Sequence, residues 1–151
     1  MTYDEMVCTA AADGISVMEK PLAGNDGRIL GSRIAIRKDI ETTTEKSCVL
    51  AEELGHYYTS YGTITDQAVT SNRKQEYRAR LYGYNIKIGL KGLVDAYEAG
   101  CRNLSDICDY LDVTEDYLRS ALACYRSKYG RQAVMGNYVI CFEPCLAVGK
   151  I

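Results

Sequence analysis

Apolar positions recur at helical spacing over residues 2–13, where Thr2 stands as a cap, Asp4 and Glu5 fill the first turn and Gly14 follows the last. The period then shortens to two: Ile15 and Val17 fall on one side of a strand expected at 15–19, which Pro21 ends. After the turn-forming run Ala-Gly-Asn-Asp-Gly at 23–27, two short strands are expected at 28–30 and 33–37, joined around Gly31-Ser32. In the second of these, Ile34 and Ile36 face a core while Arg33, Ala35 and Arg37 face out.

A longer helix is predicted over 44–59, with Thr43 or Thr44 as N-cap and Glu45 in the first turn, where the macrodipole favours negative charge. A polar loop at 60–71 leads to a second long helix at 72–88, in which Tyr77, Leu81, Tyr84 and Ile88 repeat at helical spacing. Gly89 and Gly92 loosen the chain ahead of an amphipathic helix at 93–99. Residues 103–129 read as a helical hairpin. Leu104, Ile107, Cys108 and Leu111 form one face, Val113 sits in the turn, Thr114 caps, and Leu118, Ala121, Leu122 and Tyr125 continue. Residues 133–142 and 146–148 suggest a terminal hairpin turning at Gly136-Asn137 or Glu143-Pro144.

The pattern predicts one α+β domain, with no repeat or linker. A small antiparallel sheet and a central helix occupy 1–60, a helical part 70–130 and a β-hairpin 131–151. Composition changes little in this picture: 47% hydrophobic and 25% charged residues are the balance of a globular protein. A formal net charge of -2 gives no general pull toward nucleic acid or anionic membrane. Seven cysteines, without a CxxC spacing or a basic-then-apolar leader, fit a cytoplasmic chain with reduced thiols. No uncharged apolar run is long enough to span a bilayer.

Candidate chemistry concentrates on the central helix. Between Cys48 and Tyr58 nearly every residue is apolar or small except Glu52, Glu53 and His56. Taking Glu52 as origin, His56 lies at about 40° and Glu53 at about 100° around the helix, so the three share one arc. Buried charges must be paired, neutralised or bound to a metal. A His and an acidic residue one turn apart can hold one ion while a neighbouring Glu activates water, which is the geometry of the HExxH motif. Here the five residues are Glu52-Glu53-Leu54-Gly55-His56, with Glu52 in the place of the first histidine. His56 is the only histidine, and Glu76 on the next helix is a candidate third ligand.

Ser47-Cys-Val-Leu-Ala-Glu-Glu-Leu-Gly-His56, followed by Asn72-Arg-Lys-Gln-Glu-Tyr-Arg-Ala79, resembles the ImmA/IrrE family of metallo-endopeptidases, in particular its phage and mobile-element branch. The resemblance extends over nearly the whole chain. It implies a zincin-like fold, with the sheet packed on the motif helix, and an activity that cleaves helix-turn-helix transcriptional repressors. It places Glu52, His56 and Glu76 as metal ligands and Glu53 as the catalytic base. By the same resemblance, Arg33, Ala35 and Arg37 lie on an edge strand that would pair with extended substrate. The implied ion is Zn²⁺. Replacing a histidine by Glu52 brings the charge of such a site near neutral and shifts preference toward harder ions such as Mn²⁺ or Mg²⁺.

Two alternatives stay open beside the peptidase. One is a metal-free or inactive relative that grips a repressor without cutting it. The other is a DNA-binding regulator built on 103–129, against which the acidic start of its second helix, Thr114-Glu115-Asp116, counts, since that end would meet the bases. Neither direct nucleic-acid binding nor membrane association is expected. For oxyanion stabilisation, Tyr57, Tyr58 and Arg78 are the nearest candidates in sequence.

Overall fold

A computed structural model describes residues 1–60 and 69–151, the side chains of 69–71 excepted, so most of the loop expected at 60–71 lies outside the described residues. The architecture is mixed α+β, and its contacts gather in two compact units, 1–86 and 87–151. The boundary falls at the end of a helix, where the composition gives no linker signal.

In the first unit, α1 (Tyr3–Ala12) starts with a complete capping box: Glu5 N–H donates to the Thr2 hydroxyl, and the Thr2 N–H donates to the Glu5 carboxylate. Strands β1 (Ser16–Lys20), β2 (Gly27–Leu30) and β3 (Arg33–Arg37) form a sheet in the order β1-β3-β2. β2 and β3 make the expected hairpin, with Gly31 supplying a φ of 60° at the first central position of the two-residue turn. β1, however, pairs with β3 in parallel, so the sheet is mixed rather than antiparallel. Ile34 and Ile36 are buried as the alternation required, together with Met6, Ala10, Ile15, Leu50, Ala51 and Leu54.

The strand order corrects one expectation. β3 is hydrogen-bonded on both sides, so Arg33, Ala35 and Arg37 do not lie on an edge strand and their backbone cannot accept an added strand there. The edges of this sheet are β1 and β2. Arg37 is engaged with Asp26 and Asp39 at 3.0 Å each.

α2 (Thr43–Thr59) begins one residue earlier than expected, capped by Thr42, whose hydroxyl accepts from the Glu45 N–H. α3 (Val69–Lys87) runs antiparallel to it, as shown by the approach of Gly55 to Ala79 and of Gly83 to Ala51. The face α3 buries in this unit is Ala79 and Gly83. Of the expected apolar stripe, Tyr77 is exposed, Leu81 and Tyr84 are half-buried, and Ile88 lies past the helix end.

The second unit holds α4 (Gly89–Glu98), α5 (Leu104–Leu111), α6 (Glu115–Tyr129) and an antiparallel sheet of β4 (Gln132–Met135), β5 (Tyr138–Cys141) and β6 (Ala147–Lys150), in the order β4-β5-β6. Both candidate turns are therefore used, and the expected hairpin gains a third strand. α4 starts four residues before its predicted position. Gly92 lies within it, facing Leu111, whose methyl would be 3.3 Å from any Cβ at that site. Asn103 and Thr114 cap α5 and α6. Leu93, Leu118, Ala121, Tyr125 and Ile140 form the core, with the Tyr125 hydroxyl accepting from the Gly89 N–H at 3.0 Å. Lys87 is buried, its ammonium 3.7 Å from Asp112, as a charge removed from water requires. Among the described residues, no helix is long and apolar enough to cross a membrane.

Candidate metal centre

Small residues set the geometry of this site. Ala51 and Gly55 lie four apart on α2, and Ala79 and Gly83 four apart on α3, so each helix presents a shallow strip to the other. A Cβ at Gly55 would stand 2.1 Å from the Ala79 carbonyl oxygen, and one at Gly83 would stand 2.8 Å from that of Ala51. The two backbones are thus nearly in contact. This approach carries Glu76, one turn before Ala79, alongside His56, one residue past Gly55.

The result is a cluster in which ligand atoms of Glu52, His56 and Glu76 all lie within 4.8 Å of one another. His56 Nε2 and Glu76 Oε2 are 3.6 Å apart. Two donors on one tetrahedral ion, at about 2.1 Å each, stand roughly 3.4 Å apart, so this pair already has the required spacing. Glu52 is exposed, while His56 and Glu76 are half-buried. The charged arc is therefore the open side of α2, and the buried side is Ser47, Cys48, Leu50, Ala51, Leu54 and Gly55. One imidazole nitrogen and two carboxylates form a donor set that suits a divalent cation and leaves room for further ligands.

Glu76 has a second partner. Its Oε1 lies 3.2 Å from Arg80 Nε, one helical turn on, so one oxygen is fixed by the guanidinium while the other faces His56. The spacing of Glu76 and Arg80 was available in the sequence as an i,i+4 pair, although nothing there singled it out from the surrounding charges.

Glu53 occupies the other side of the arc. Its carboxyl is held above the usual carboxylate range, first by burial, with the negative charges of Glu52 and Glu76 adding to the effect and His56 opposing it. The side chain lies against Gly27 at the start of β2, where a Cβ would come within 2.7 Å of Glu53 Oε1. Gly27, expected only as part of a turn, is the gap in the edge strand that admits this carboxylate. The arrangement thus sets a proton-accepting group beside both a ligand cluster and a strand whose outer edge is unpaired within the sheet.

The oxyanion candidates are placed less favourably. Tyr58 donates its hydroxyl to Asp13 and stacks on Tyr82, its ring 5.3 Å away. Burial first, and then the bond to Asp13, raise the Tyr58 phenol above its ordinary value. It ties α2 to the end of α1. Arg78 is exposed. Arg33, Ala35 and Arg37, on the central strand, do not join the cluster.

No protein family, curated protein or solved structure matches this chain.

Proposed function

We propose that this chain is a metal-dependent endopeptidase, with Glu52, His56 and Glu76 as the ligands of one divalent ion, Zn²⁺ or Mn²⁺, and Glu53 as the general base. The observation that carries the reading is the meeting of those three donors within 4.8 Å, with the next residue after Glu52 a carboxylate whose proton affinity is raised by burial. An ion bound there would supply Lewis-acid activation of water and of the scissile carbonyl. Glu53 takes the proton from the attacking water as its oxygen bonds to the carbonyl carbon, then delivers that proton to the amine nitrogen as the C–N bond breaks. A carboxyl with raised proton affinity suits both halves of the transfer, because it must hold the proton between them. Arg80 orients Glu76, and the β2 edge beside Glu53 offers backbone groups to an extended peptide, the role first expected of β3.

The substrate class follows from the sequence resemblance: a cytoplasmic transcriptional repressor of the helix-turn-helix type. Incubating the chain with such a repressor, with and without a chelator, tests the proposal. Fragments should form only without chelator, and Glu53→Gln should reduce their rate by about 10²-fold or more. Fragments that form at an undiminished rate in chelator, or in Glu53→Gln, would contradict it. Stoichiometric binding without fragments would identify a non-catalytic binder instead.

A further inference from the structure

The second unit carries a groove of about 640 Å³, bounded by α4, the start of α5, α6 and the chain between β5 and β6. Its apolar lining includes Leu104, Ile107, Leu122, Leu146 and Val148, all half-buried. Three arginines, Arg102, Arg119 and Arg126, also line it, and no aspartate or glutamate does. The groove is thus an apolar trough with cations along its rim, in a chain that is slightly acidic as a whole.

We infer that this groove is a docking site for an acidic peptide segment of a partner protein, with aliphatic residues between its carboxylates. The spacing of the arginines decides the kind of occupant. Arg119 and Arg126 are seven residues apart on α6, hence on one face and about 10 Å apart along the axis. A single carboxylate or phosphate head cannot reach both, whereas carboxylates two turns apart on a helix, or three residues apart on a polyproline II segment, can. The aliphatic lining between them matches side chains and has no counterpart in a sugar-phosphate backbone.

The arginines are already held in the orientation that a carboxylate needs. Arg119 binds Glu115 at 2.7 Å and Arg126 faces Glu143 at 3.5 Å. All four side chains are substantially exposed, and such pairs contribute little to stability, so incoming carboxylates can replace them at small cost. The hydrophobic contacts then supply affinity and the arginines supply orientation and selectivity.

Selection of a random dodecapeptide library on the full chain tests the inference. Retained peptides should be enriched in Asp and Glu interspersed with Leu, Ile, Met or Phe. They should bind Arg119→Glu/Arg126→Glu about tenfold or more weakly than the wild type. Replacing their acidic residues by Lys should reverse that preference, which also shows that the variant is folded. Retained peptides without acidic enrichment, or with equal affinity for both proteins, would overturn the assignment. So would displacement of the peptides by laurate or by a twelve-nucleotide single strand at concentrations below those at which the peptides themselves compete.

Discussion

Glu76 shows how much one side chain depends on its neighbours. Its two oxygens are divided between Arg80 at 3.2 Å and His56 at 3.6 Å, so the guanidinium fixes the direction in which the free oxygen points. Partners of this kind commonly govern metal affinity through ligand orientation. Arg80→Ala should therefore weaken binding of a divalent ion by about tenfold in a competition titration, with Arg80→Lys recovering part of the loss. Unchanged affinity would make the pair a surface ion pair and nothing more. Glu52 is the opposite case, an exposed carboxylate at the position where a histidine would complete the more familiar motif. Glu52→His should raise Zn²⁺ affinity by about tenfold or more, because imidazole is the better donor for that ion. No change would remove residue 52 from the ligand set.

Among the elements, α2 and α3 carry the site, and their packing was only partly legible in the sequence. Helical periodicity located both helices and put Glu52, Glu53 and His56 on one arc. It drew attention, however, to the tyrosine stripe of α3, when the contact with α2 is made by Ala79 and Gly83. Large apolar residues dominate a periodicity signal, while close approach of two backbones is written in residues that contribute almost nothing to it. Gly55→Ala tests this contact. Alanine gains about 1 kcal/mol of helix propensity over glycine. The added methyl nevertheless meets a backbone carbonyl at 2.1 Å, and neither backbone can yield without separating the helices. The clash should win, with a net loss of about 2 kcal/mol in denaturant unfolding and a fall in metal affinity as Glu76 moves from His56. A more stable variant with intact metal binding would show that the helices are not held by this contact. The sheet was legible in another sense: alternation identified the buried Ile34 and Ile36, but alternation is the same for a central and an edge strand. The parallel pairing of β1 with β3 depends on the connection at 21–26 carrying β2 to the far side of β3, which no local pattern in these short strands records.

At the scale of the molecule, the two units hold different chemistry. The first contains the Glu52–His56–Glu76 cluster and Glu53; the second contains the arginine-rimmed groove, built on the helical pair and the three-stranded sheet. The helical repeat of apolar residues and the cap Thr114 made the second unit's helical hairpin readable in advance, and its acidic α6 start, Glu115 and Asp116, stands exposed. The groove was not readable, since Arg102 lies far in sequence from Arg119 and Arg126 and joins them only when α5 packs against α6. The proposed chemistry of the first unit requires that its three donors hold an ion. Elemental analysis of the chain purified without chelators measures this most directly. About one divalent ion per chain is expected, lost in His56→Ala and Glu76→Ala while both variants remain folded. A chain without bound metal, or with the same content in wild type and in both variants, would contradict it.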